Sequence, residues 1–246
     1  MRTRTAKACV TAVGACVLLT CLTGCDSNAQ TFQDDRRFPF GGRSLTIDAH
    51  ETKLTVLNGS GGEIEVEREL RGTAAKDGNA SWSLEGETLR LRVDRTGIVL
   101  TCESEHRVRV PKGIAVTISG TGADTRLEGL TGDITATLSH DSALRVVGPA
   151  GRLRLRNGGG DITVTEARSS DVRAETSADG TINLTFAAAP RRVEARAVGS
   201  VGITLPAGPE TYRVDAAGAD VPSDPDSDRL IVARALDGRV RVRKEL

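Results

Sequence analysis

An all-β fold is predicted, with a single-stranded β-helix or β-solenoid-like array following a less regular N-terminal β region, and three observations predict it. Within residues 120–206, apolar side chains recur at every second position of short segments, such as Ile134, Ala136 and Leu138, Leu153 and Leu155, Ile162 and Val164, and Ile182, Leu184 and Phe186. A period of two is that of a strand with one buried face. Segment centres lie roughly 9 to 11 residues apart, which leaves room only for tight turns. Glycine and aspartate punctuate the array, with Gly132-Asp133, Gly160-Asp161 and Ala178-Asp179-Gly180 each standing just before a strand. One short strand pair is not stable alone, so such an array must stack on itself. The competing architecture, a sandwich of meandering hairpins, would carry more Asn-Gly or Asp-Gly turn centres.

In chain order, residues 1–7 carry Arg2, Arg4 and Lys7, residues 8–22 are apolar or small, and Leu22-Thr23-Gly24-Cys25 closes the stretch. A basic head before a short apolar core predicts an export signal over residues 1–24, too short for an ordinary membrane span. Its ending resembles the bacterial lipoprotein signal, in which cleavage precedes the cysteine. The resemblance implies that Cys25 becomes the lipidated (palmitate-bearing) first residue of a membrane-anchored protein at the outer face of the cytoplasmic membrane. With Cys9, Cys16 and Cys21 in the signal and Cys25 lipidated, Cys102 is alone, so no internal disulfide is expected, and its IVLTCES context predicts a small buried hydrophobe. The whole chain balances 33 basic against 33 acidic residues. Removal of the signal's three basic residues leaves a slight acidic excess, which gives no electrostatic reason to bind nucleic acid.

Residues 25–42 read as a polar spacer and 43–246 as the β-repeat domain, its regular array spanning 114–206. Over 43–110 the alternation is less even: Leu45 and Ile47, Leu54 and Val56, Ile64 and Val66, Trp82 and Leu84, Leu89 to Val93, Ile98 to Cys102, then Val108 and Val110. These spacings suit hairpins in an antiparallel or mixed sheet, with Glu85-Gly86-Glu87 a tight turn. Pro111-Lys112-Gly113 ends this region. After the array come Leu205-Pro206, a strand at Tyr212 and Val214, a polar loop over 216–228, and closing strands at Leu230 and Val232 and at Val240 and Val242. Arg239, Arg241, Arg243 and Lys244 line the last of these, as an exposed edge requires to avoid other chains.

Val110-Pro111-Lys112-Gly113, the Gly-Asp-Ile of residues 132–134 and 160–162, and Val201-Gly202-Ile203-Thr204-Leu205-Pro206 followed by Tyr212-Arg213-Val214-Asp215 carry a resemblance to the bacterial adhesin-like proteins built on a β-strand-repeat domain of unknown function. It spans roughly residues 43–242. It implies a solenoid-like, exported or membrane-attached domain with no catalytic residues to carry over. His140-Asp141-Ser142 departs from the pattern, standing where another glycine-centred turn is expected.

Little in the sequence points to chemistry. Three histidines, His50, His106 and His140, form no ligand cluster, and no HExxH or CxxC motif is present. His140-Asp141-Ser142 holds the residue types of a triad, but adjacent strand residues face opposite ways, so it reads as a polar turn. Gly158-Gly159-Gly160-Asp161 lacks the Lys-Ser or Lys-Thr of a phosphate loop. The enzymatic rival is a column of turn aspartates, Asp133, Asp161 and Asp179 with Asp124 or Asp141, serving as an extracytoplasmic carbohydrate-active site or a weak calcium site. Turn chemistry explains the same residues, and the expectation is a non-enzyme without cofactor or committed metal site. Its rigid surface would meet another envelope protein or a wall polymer.

Overall fold

The computed structural model describes residues 31–94 and 102–245. Among these, one turn of 3-10 helix (Thr73–Ala75) is the sole helical element. All other regular structure is strand, gathered into two ten-stranded sheets of mixed direction. The all-β expectation therefore holds.

Strand β1 (Thr31–Pro39) lies on one edge, and β2 (Ser44–His50) and β3 (Lys53–Asn58) form a first pair. An excursion follows through β4 (Glu63–Gly72), β5 (Ala80–Glu85), β6 (Thr88–Val93) and β7 (Cys102–Val110). The pairs then repeat: β8 (Ala115–Thr121) with β9 (Thr125–Glu128), β10 (Ile134–Ser139) with β11 (Leu144–Val147), β12 (Leu153–Asn157) with β13 (Ile162–Ala167), β14 (Asp171–Thr176) with β15 (Ile182–Phe186), and β16 (Arg192–Ala197) with β17 (Val201–Leu205). A short β18 (Arg213–Asp215) precedes the last pair, β19 (Leu230–Ala235) and β20 (Val240–Lys244). Sheet I runs β1-β4-β7-β3-β9-β11-β13-β15-β17-β20, and sheet II runs β18-β19-β16-β14-β12-β10-β8-β2-β6-β5.

Each pair thus places one strand in each sheet, and each strand lies parallel to its counterparts in the pairs before and after it. In sheet II, Val116, Ile134, Leu153, Val172 and Val193 stand side by side, so successive passes advance 18, 19, 19 and 21 residues. In sheet I the matching column is Leu54, Thr125, Leu144, Ile162, Ile182, Val201 and Val240. The alternation read from sequence turns these columns into one continuous core between the sheets, with Leu45, Ile118, Leu155, Ile182 and Phe186 each at most 1% exposed. Complete burial of such a side chain contributes about 1.5–3 kcal/mol.

The glycines at the corners are not there to supply turn dihedrals. Gly132, Gly151, Gly160, Gly180, Gly199 and Gly238 are absent from the positive-φ residues. Each instead packs its Cα against backbone of the preceding pass: Gly151 on Gly132, Gly160 on Ser142, Gly180 on Gly160, and Gly238 on Gly199. A Cβ at Gly199 would stand 2.7 Å from the Asp179 carbonyl oxygen. Close approach of successive passes, not backbone handedness, dictates glycine there. At His140-Asp141-Ser142, between β10 and β11, His140 itself takes the left-handed conformation (φ 67°) where glycine was expected.

Three further differences from the sequence reading follow from long-range pairing. Part of the segment read as spacer forms β1, antiparallel to β4. It is exposed at every position but Phe38, because it overhangs the core and has a neighbour on one side only. Of the expected N-terminal hairpins, β5–β6 closes as one, with Gly86 at φ 59° in its turn. β2 and β3 instead separate into opposite sheets and stack under β8 and β9. Cys102 is half-buried beside a small second cluster of Leu70, Ala74 and Val93, and Ile98 and Leu100 lie outside the described residues.

Candidate interaction surfaces and buried polar cluster

The parallel registers convert residues about twenty positions apart into straight rows on the outer faces. On sheet II one row reads Thr46, Thr117, Thr135, Arg154, Arg173, Glu194, and the next Asp48, Ser119, Thr137, Arg156, Glu175, Arg196, Arg234. One half of this face is hydroxyl-rich and the other is charged. Glu175 sits among three guanidinium groups, Arg173 at 2.6 Å, Arg156 at 3.2 Å and Arg196 at 3.6 Å. The hydrogen bond from Arg173 holds its carboxyl below the usual range. Asp171 receives both arms of Arg154, at 3.0 and 2.8 Å, and is lowered by that bond. The geometry is the bidentate fork of a strong charge-assisted pair. Together with Arg152 and Arg192, arginines outnumber carboxylates across β12, β14 and β16, so the face keeps a positive excess after its internal pairing.

The aspartates singled out from sequence are divided by the fold. Asp133 precedes β10 in sheet II, whereas Asp124, Asp161 and Asp179 precede strands of sheet I. Three of these carboxylates do the same thing. Asp124 Oδ1 accepts the Ala143 N–H at 2.8 Å, Asp133 Oδ1 the Arg152 N–H at 2.8 Å, and Asp161 Oδ1 the Thr181 N–H at 2.7 Å. Each bond runs to the next pass of chain, so these side chains staple successive layers at the corners. Ser200 Oγ takes the same part toward the Arg239 N–H at 3.1 Å. Along the sheet I corner, Ala143 separates Asp124 from Asp161, which puts them about 9–10 Å apart at two strand spacings. Among the described residues no group of three or more His, Cys, Asp or Glu side chains could hold a metal ion. Cys25 lies outside the described residues.

A cluster that the sequence reading did not single out lies between the sheets at the β1–β7 end. His106 is fully buried, its Nδ1 2.8 Å from Thr52 Oγ1 and its Nε2 without a partner. Its ring meets Trp82 edge-on at 6.4 Å. Burial, aided by the positive charge of Arg68, pushes its pKa down to about 4, so the ring is neutral at physiological pH. The Arg68 guanidinium lies 4.1 Å from the Trp82 ring centre and 5.6 Å from that of Phe32, and its Nη2 reaches Asp34 Oδ2 at 3.1 Å. The signal was present in the alternation: Arg68 shares parity with Ile64, Val66 and Leu70, and His106 with Val108 and Val110, so both had to point inward.

No family model matches the chain, and no curated protein sequence matches it. The chain is distantly similar in structure to several solved proteins. One, described as a "putative adhesin", is from Parabacteroides distasonis, with 10% identity over 89% of this chain and 98% of that one and a TM-score of 0.49. A second so described is from Bacteroides fragilis, with 14% identity over 87% and 97% and a TM-score of 0.46. A "putative cell adhesion protein" from Clostridium sporogenes shows 10% identity over 88% and 100%, with a TM-score of 0.40.

Proposed function

We propose that this chain is a lipid-anchored protein of the cell envelope whose body, a two-sided β-solenoid of the β-repeat domain with β1 added at its edge, presents a rigid face to a wall polymer or another envelope protein. The observation that carries the reading is the row structure of sheet II, where parallel registers hold Arg154, Arg156, Arg173 and Arg196 in a fixed array with positive excess. The registers set the backbone spacing of these rows before contact, so binding loses no backbone entropy in arranging them. Its charge suits an anionic partner.

Attachment through Cys25 rests on the leader of residues 1–24. Cys25 stands six positions before Thr31 of β1, so even a fully extended chain keeps it within about 20 Å of that strand. The β1 end of the stack would then sit close to the outer face of the membrane. The stacked-aspartate enzyme is the weaker reading, because Asp133 and Asp161 stand at different corners and each bonds backbone of the adjoining pass.

Two measurements test the proposal. Cys25→Ser should move the protein from the membrane to the soluble fraction, and an unchanged distribution refutes the anchor. The Arg156→Glu/Arg196→Glu double variant should cosediment with purified wall material, or capture an envelope partner, at least about tenfold less well than wild type, as expected for the loss of a few charge contacts. Equal capture by both forms removes the face from consideration.

A further inference from the structure

The four sheet edges are not alike. β20 is five residues long and carries charge of one sign, Arg241, Arg243 and Lys244, so two such edges repel. β18 has three residues, with Tyr212 just before it bridged to Ser223 and the Val214 N–H donated to Ser223 Oγ. β5 has six, and its Trp82 is engaged by Arg68 and His106. β1 has nine residues, pairs only with β4 among the described residues, and leaves every side chain but Phe38 exposed. At its centre the Asp35 N–H turns to a side-chain acceptor, Asp34 Oδ1 at 2.9 Å, as a donor without a ladder partner does.

Two copies of one edge can pair antiparallel about a twofold axis only in registers where opposed residues share a face. Centred on Asp35, that condition sets Phe32 opposite Phe38 and Asp34 opposite Arg36 on the face shared with Ile64 and Val66, each contact occurring twice by symmetry. The sequence Phe-Asp-Arg-Phe at positions 32, 34, 36 and 38 is therefore its own complement, aromatic to aromatic at the ends and carboxylate to guanidinium between them. On the other face Gln33 meets Arg37, and the opposed Asp35 residues have Arg37 of each copy as diagonal neighbours. The exposure of Phe32, 44% in the single chain, is an apolar surface that this register covers. An edge protected against pairing carries one sign of charge, as β20 does. β1 carries both signs, and these match at positions 34 and 36, while the like-charged Asp35 pair on the axis is offset by the diagonal Arg37 of each copy.

We propose that β1 is a homodimerisation edge: a second copy of this chain adds its own β1 antiparallel in the Asp35-centred register, joining the two copies of sheet I into one continuous sheet. Attachment of both copies to one membrane surface would raise their effective concentration, but the pairing itself does not depend on the anchor.

The test uses the full-length chain in membranes. Opposed residues of an antiparallel pair stand about 4.5–5.5 Å apart at Cα, within disulfide reach. Mild oxidation should therefore convert Asp35→Cys to a dimer on non-reducing gels, while wild type and Arg241→Cys on the opposite edge stay monomeric. Adding Arg36→Asp, or separately Asp34→Arg, to Asp35→Cys should reduce the crosslink about tenfold or more, since two attractive pairs become repulsive. Co-expression of these two variants sets the carboxylates of one opposite the guanidinium groups of the other, and should restore a mixed crosslinked dimer, which also shows that both fold. Absence of crosslinking in Asp35→Cys, equal crosslinking at Arg241→Cys, persistence in either charge variant alone, or failure of the mixture to recover each overturns the proposal.

Discussion

Acidification from pH 7 to pH 5 should weaken the folded chain through one residue. His106 is fully buried, and its proton affinity is lowered to about 4 by desolvation first and by Arg68 second. Thr52 and Trp82 contact it without supplying a carboxylate, and the charge that acts on it is the positive Arg68. In the unfolded chain the same imidazole titrates near 6.5. The folded value lies below the unfolded one, so as pH falls the unfolded chain takes up the proton first. Stability from this group is fully present above pH 6.5 and is lost as pH falls toward 4. At pH 5 the linkage relation gives a loss of about 2 kcal/mol relative to pH 7. Urea unfolding followed by the fluorescence of Trp82, the chain's single tryptophan, reads it directly. The carboxylates held low by arginines, Glu67, Asp171, Glu175 and Glu194, contribute equally to wild type and to His106→Gln and cancel in the comparison. The fall in unfolding free energy from pH 7 to pH 5 should be larger in wild type by about 2 kcal/mol. Equal falls in both proteins would mean that His106 is protonated in the folded state, and the account of the buried cluster would be wrong.

Gly151→Ala should cost about 2 kcal/mol or more by thermal or urea unfolding, because its Cβ meets the Gly132 backbone. Gly148→Ala, which has open space but a φ of 61°, should cost only about 1 kcal/mol, and reversal of that order would contradict the close-approach reading. Asp161→Ala should destabilise by about 1 kcal/mol through loss of the bond to Thr181, with Asp161→Asn recovering most of it. Millimolar calcium should leave the melting temperature unchanged, and a saturable rise that disappears in Asp161→Ala would restore an ion site at that corner.

The buried faces were legible because a period of two is a local property. Ile134, Leu155, Val164 and Leu184 are inward for reasons contained in their own segments, and the same rule covers Arg68 and His106, although by sequence alone its charge makes Arg68 read as part of a wet face. Neighbourhood across the sheets was not legible, since it depends on how many residues each pass consumes. Passes take 18, 19, 19 and 21 residues, so Asp133 and Asp161, 28 positions apart in the sequence, are about one and a half passes apart and stand at corners feeding opposite sheets. The glycine beside each aspartate was visible as a repeat, yet its cause, the carbonyl of the pass beneath, is a contact between residues about nineteen apart. The excursion from β4 to β7 hid the same way: its strands were found, but a hairpin reading cannot show that β7 inserts between β4 and β3.

That excursion also explains why the two ends of the stack differ. A stack of parallel passes leaves an open layer at each end, and each open layer must be covered or made unattractive. At the far end β20 does so with its own positive charge and with the loop that bridges Ala219 to Val242. At the near end the excursion adds β4 and β7 to sheet I and β5 and β6 to sheet II, and the cross-sheet contact of Arg68 with Trp82 closes the space between them. Burying an arginine there is tolerable only with a counter-charge and an aromatic face. Asp34 supplies the first from β1, so β1 is needed to complete the cap. The strand that neutralises Arg68 is thereby fixed at the edge of sheet I in a defined register with β4. The same placement sets Phe32, Asp34, Arg36 and Phe38 in line at the outermost position of the molecule. Capping the stack and exposing a self-complementary edge are two results of one pairing, and a substitution such as Arg68→Leu, which releases Asp34, should weaken both together.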